Sequence, residues 1–237
     1  MTASSRIKKI KGKKMTRTRK MISCILKLIV IVSAVTGTWM SGFAGRAAFM
    51  GGSRVFMYFT IQSNIAVALL SIIGFFLMMR SKHINRTWYV IQLVGAVAIT
   101  LTGVVFTFVL APTLGKFAWN IQNVLTHVVV SIAAVLDFFV VVSGRKLRKA
   151  NVIYVIIPPL LYAIYTGIGY VKGWQFSSGK NYPYFFLNWG SPAGAFGFTK
   201  GLPFMGCGWW ILAILIFLIL IGWLYLFVSE KIGRSKE

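Results

Sequence analysis

The stretch WNIQNVLTHVVVSIAAVLD, Trp119 to Asp137, decides how the rest of the chain is read. Its apolar residues suit lipid, yet it carries a histidine, His127. On a period of 3.6 residues Asn120, Asn123, His127 and Ser131 fall on one face, while Val128, Val129, Ile132, Val135 and Leu136 cover most of the rest. Such a segment reads as a membrane-spanning helix with one polar stripe. Unpaired polar groups are costly in hydrocarbon, so the stripe must face protein or a wet cavity, and any chemistry is expected there.

Outward from this stretch the pattern repeats. The chain is 57% hydrophobic and 15% aromatic, with its apolar residues in long blocks rather than short amphipathic runs. Six blocks are long enough to cross a bilayer: residues 22–43, 56–79, 89–111, 119–142, 152–171 and 208–228. The expected fold is therefore an all-α polytopic membrane protein with six transmembrane helices. A basic tail, 1–21, precedes the six-helix domain at 22–228, which carries a long loop at 172–207; a short basic tail, 229–237, follows.

The net charge of +23 would suggest nucleic acid in a soluble protein, but here the charges report topology. Nineteen of the 26 lysines and arginines fall in the first tail, after spans two and four, and at the chain's end; six fall in the opposite connections and Lys27 lies inside span one. The positive-inside rule puts both termini in the cytoplasm, with the 172–207 loop outside. The first tail is expected to rest on anionic headgroups. It has no aromatic residues to stack on bases, so no nucleic-acid partner is expected. The first apolar run is too long for a typical leader and reads as a retained anchor. Cys24 and Cys207 fall near opposite faces, too far apart to join. A multi-pass protein of a bacterial-type plasma membrane is the expected setting.

Within the spans, Lys27 and Asp137 lie at similar depths, and a structural ion pair between them competes with snorkelling of the lysine to the headgroups. Span two opens with Thr60, Ile61, Gln62, Ser63 and Asn64. At 1.5 Å per residue Asn64 matches the depth of His127, with Thr60 about 6 Å shallower, so the polar faces of spans two and four can meet. Asp137 stands about 15 Å along the helix from His127, too far to orient it; Asn123 or a residue on another helix is the better partner. Span three is assigned to packing. Tyr165 in span five and Tyr182 in the loop complete the expected lining with Ser63, Asn64, Asn120 and Asn123. The loop, rich in glycine and aromatics, is expected to lie at the interface or fold back over His127.

One buried histidine and two distant cysteines make no metal site, and no glycine-rich phosphate loop is present in the sequence, so neither metal nor cofactor is expected. What remains is a hydroxyl and an imidazole. A histidine can take the proton that keeps a threonine unreactive, and the amides of Asn64 and Asn123 could donate to an oxyanion. Equally, such groups hold membrane helices together.

Asn123-x-x-x-His127 with Asp137 ten residues on, Tyr58-x-Thr60 at the start of span two, and Tyr182-Pro183 with Phe186-Leu187 in the loop resemble, in that order, the androgen-induced and ADTRP-type membrane proteins and their bacterial relatives. Ile132 stands where eukaryotic members usually have proline, and Gln62-Ser63-Asn64 replaces a more apolar run. The resemblance implies an intramembrane hydrolase of fatty acid esters of hydroxy fatty acids, with Thr60 as nucleophile and His127 as general base, and a membrane lipid as substrate or ligand. Ser63 is the alternative nucleophile. The competing expectation is a non-catalytic lipid-binding scaffold or small-solute permease whose polar stripe is structural.

Overall fold

A computed structural model describes residues 15–44, 52–80, 85–144 and 147–234. Six helices are long and apolar enough to cross a membrane: α1 (Arg17–Phe43), α2 (Phe59–Met79), α3 (Arg86–Leu114), α4 (Ile121–Val142), α5 (Lys149–Val171) and α6 (Cys207–Arg234). Among the described residues there is no strand. Helix α1 begins before the expected apolar run and α6 continues past it, so residues assigned to the two basic tails extend the end helices. Residues 1–14 of the leader lie outside the described residues.

The helix ends follow local chemistry. Thr16 caps α1 by accepting from the Arg19 amide, Asn85 caps α3 by accepting from Trp88, and Asn120 caps α4 by accepting from Asn123. Helix α5 opens as a 3-10 turn over Lys149–Ile156 and becomes α-helical at Ile157–Val171, with Pro158 and Pro159 in the new first turn, where a missing amide proton costs least.

Helix α3 touches α2, α4, α5 and α6 and buries Leu93, Val97 and Ile99 completely, which makes it the hub of the bundle. Helix α1 packs on α2 and α4, while α6 buries the smallest share of its length and turns Leu212, Ile216 and Leu220 outward. Lipid tails are as apolar as leucine, so close packing and polar contacts must hold such helices together. Both are present. A Cβ added at Gly37 would come within 2.6 Å of Thr126 Cγ2, and Ser131 of α4 donates to the Ile99 carbonyl of α3 at 3.0 Å.

The start of α1 and the ends of α4 and α6 gather at one end, called proximal below. There the Arg19 guanidinium reaches the carbonyls of Val140 and Ser143, and the Gly144 amide donates to Ser229. Somewhat deeper, Lys27 and Asp137 form a salt bridge that Ser23 joins through both partners. Lys27 is 1% exposed, so it does not snorkel.

Candidate functional site

The distal end holds a partly open chamber of about 380 Å3. Thr60 and Ile61 of α2 form one wall with Tyr58 just before them, Phe106 and Leu110 of α3 a second, and Asn120, Asn123, Thr126 and His127 of α4 a third. The loop between α5 and α6 closes it with Ser177, Lys180 and residues 182–185. Ser177 and Lys180 pair across a tight turn in which Gly179 takes a φ of 69°, a conformation glycine adopts without strain. The Tyr58 hydroxyl ties this hairpin to α2 by donating to the Phe176 carbonyl at 3.1 Å.

His127 sits in a π-helical turn, Val124–Val129, and faces a second such turn in α3, Phe106–Leu110. A π turn widens the helix and re-aims its side chains, and such turns recur at functional sites. The imidazole stacks on Phe106, with centroids 3.9 Å apart and planes inclined by 13°. Its Nδ1 lies 3.3 Å from the Thr102 carbonyl. A carbonyl only accepts, so Nδ1 carries the proton in this contact, and the neutral form of that tautomer has its lone pair on Nε2. An orienting partner is thus supplied by another helix, the second of the two sources expected, and it is main chain of α3. Gly103 permits this closeness, since a Cβ there would lie 2.8 Å from the His127 carbonyl oxygen.

Thr60 is the second residue of α2, whose preceding residue, Tyr58, supplies no side-chain cap. The helix N-terminus therefore presents its amides and positive dipole end beside the Thr60 hydroxyl. The Thr60 amide and Oγ1 each lie 3.4 Å from the Tyr184 hydroxyl. Burial raises the Tyr184 phenol above its ordinary value, with the Thr60 contacts pulling the other way, so the group is a neutral hydroxyl whose oxygen accepts from the Thr60 amide.

The expected lining is only partly present. Asn120, Asn123 and Tyr182 line the chamber with Thr60 and His127; Ser63, Asn64 and Tyr165 do not. Ser63 bonds Thr102 Oγ1 at 2.7 Å and donates to the Thr60 carbonyl at 3.0 Å. Asn64 donates to the carbonyls of Thr60, at 2.7 Å, and Thr126, at 3.0 Å, and so ties the two chamber helices together behind the site. Asn123 donates to the Ala118 carbonyl. The Asn64 amide is thus a brace between the two helices, and the Asn123 amide, held by α4's own approach, stays in the chamber wall. Tyr165 turns toward Trp174 and Phe176. Span three, read as packing, supplies Thr102, Gly103 and Phe106, and the Thr102-Gly103 pair was the available signal of a close approach. Tyr184 carried no sequence signal, because loop residues have no period to place them.

A second, narrower cavity of about 50 Å3 lies between α3, α5 and α6. Thr60, Phe106, Leu110 and Tyr184 belong to both cavities, so Thr60 stands where they meet. No three His, Cys, Asp or Glu side chains gather among the described residues. Compared with known protein families, curated proteins and solved structures, the chain matches none.

Proposed function

We propose that the protein hydrolyses lipid esters inside the membrane, with Thr60 as nucleophile and His127 as general base. The observation that carries the reading is that this alcohol and this imidazole, from separate helices, line one chamber, the alcohol at a helix N-terminus. Thr60 Oγ attacks the ester carbonyl carbon and its proton passes to His127 Nε2, directly or through one water. The developing oxyanion is met by the Thr60 amide and the Tyr184 hydroxyl. His127 returns the proton to the departing alcohol oxygen, leaving an acyl-threonine. Water, deprotonated by the same imidazole, then releases the fatty acid and restores Thr60. The proton balance closes on the chain's own groups.

In this reading both termini are cytoplasmic, the chamber opens toward the outer leaflet of a bacterial-type plasma membrane, and the basic leader meets anionic headgroups. Fatty acid esters of hydroxy fatty acids are the substrates that the family resemblance favours. A second reading, a lipid-binding chamber without catalysis, draws support from the resting contact of Thr60 Oγ1 with Tyr184.

Labelling of purified membranes with a fluorophosphonate separates the two. Hydrolysis requires labelling that disappears in both Thr60→Ala and His127→Ala while the protein stays inserted. Wild-type protein that neither labels nor hydrolyses esters would leave the binding reading, whereas labelling that persists in Thr60→Ala would reassign the nucleophile, and hydrolysis indifferent to His127 would reassign the base.

A further inference from the structure

We propose that the narrow cavity between α3, α5 and α6 receives the first few carbons of the acyl chain, while the alcohol half of the ester, with its polar head, occupies the chamber. The rest of the chain leaves along the seam between α3 and α6 into surrounding lipid. This assignment rests on Thr60 as the point where the carbonyl is held.

Three observations carry it. The first is polarity. The cavity wall contains Leu101, Val105, Ala163, Ile214 and Leu215, and two of its polar side chains are already committed: the Tyr162 hydroxyl donates to the Met57 carbonyl at 3.0 Å and Thr102 Oγ1 bonds Ser63. The remaining pair, Thr60 and Tyr184, stand at the junction with the chamber. A dry space ending on a hydroxyl suits a hydrocarbon that ends on an ester.

The second is access. Ile214 and Leu215 are half-buried on the cavity side of α6, and the adjacent Leu212 and Ile216 are exposed, as is Phe108 on α3. The two helices are tied lower down by the Thr100 and Tyr225 hydroxyls, 2.7 Å apart. Above that tie the two helices flank the cavity, Val105 and Leu110 from α3 and Ile211, Ile214 and Leu215 from α6.

The third is size. A volume of about 50 Å3 holds roughly three to five water-sized groups. Only the carbons next to the carbonyl are enclosed, and the tail is left in the bilayer. The chamber, at about 380 Å3, has room for a bulky head. His127 lies on the chamber side, where it must deliver a proton to the departing alcohol. The two-sided arrangement and the chemistry therefore require the same orientation.

The consequence is a selectivity that reads branching near the carbonyl and ignores chain length. Full-length protein in nanodiscs would be tested with p-nitrophenyl esters and with a palmitate analogue bearing a diazirine near its carboxyl group. Linear esters of four to sixteen carbons should turn over within about threefold of each other, and α-branched esters at least tenfold more slowly. Photolabel should map to α5 and α6 around Ala163, Ile214 and Leu215. Leu215→Trp, which fills the cavity from its α6 wall, should cut photolabelling and lower the ratio of butyrate to acetate turnover at least tenfold. Label on α1 or α4, or equal losses for acetate and long esters, would overturn the assignment. If label enters the cavity but no ester is cleaved, the chain site stands and the hydrolytic reading fails.

Discussion

The imidazole of His127 hangs from the main chain of another helix, its Nδ1 3.3 Å from the carbonyl oxygen of Thr102. The distance between α3 and α4 thus sets both the tautomer and the position of the ring. That distance is set by the absence of a side chain at Gly103, one residue along.

Gly103→Ala should act on both. The added methyl would meet the His127 carbonyl at 2.8 Å and Ser131 Oγ at 3.0 Å, so the helices must part. Overpacking of this kind costs about 1–3 kcal/mol. A lower Tm in detergent accompanied by a fall in kcat is expected, and an unchanged Tm would show that α3 and α4 have slack at this point.

Asn64→Asp keeps the shape of the brace between α2 and α4 but replaces its donors with acceptors facing the carbonyls of Thr60 and Thr126. A buried acceptor left without its bond costs about 1–3 kcal/mol. Thermal unfolding should report that loss, and ester turnover should fall with it because Thr60 and His127 lose their common tie. Turnover retained at full stability cost would mean that the brace holds the fold and not the site.

Tyr184→Phe separates an oxyanion donor from a roof residue. Loss of one preorganised donor typically lowers kcat roughly a hundredfold. A rise in KM alone would assign the phenol to substrate binding. The same variant has a signature in alkali. Because burial raises the folded-state value of the phenol, its stabilising contribution is complete below the unfolded value of about 10 and is lost as pH rises through the higher folded value. Unfolding temperatures should stay level up to about pH 10 and then drop, with a shallower drop in Tyr184→Phe.

The Lys27 and Asp137 pair should be costly to break and cheap to replace. Removing one partner strands a buried charge, a loss of about 3–5 kcal/mol, whereas exchanging both for apolar residues of similar size is often near neutral. Lys27→Met and Asp137→Leu should each lower Tm sharply and the double variant should recover most of it. Ester turnover in the double variant should stay near wild type, since neither residue lines the chamber. A double variant as unstable as the singles would show that Ser23 and its neighbours need the charges.

Six long apolar blocks, their approximate ends and the presence of six helices follow from the order of residues alone, because a bilayer-spanning helix must satisfy its backbone internally and cover itself with apolar side chains along its whole length. The same reasoning singles out Thr60 and His127 as polar groups needing company. It does not reach the company they keep. Asn120, read as part of a stripe, is the cap that starts α4, and the π turn that carries His127 breaks the 3.6-residue period on which the stripe was drawn. The partner of His127 is a carbonyl, which every residue possesses, so no residue type could announce it. Tyr184 and Lys180 reach the chamber from a loop whose path depends on a hairpin and on the Tyr58 anchor. Composition and periodicity thus determine what must leave water and at what depth. Which groups meet there is decided by helix approach, at glycines such as Gly37 and Gly103, and by the loop that closes over them, because contact energies of this kind exist only once separate segments are brought within a few ångströms.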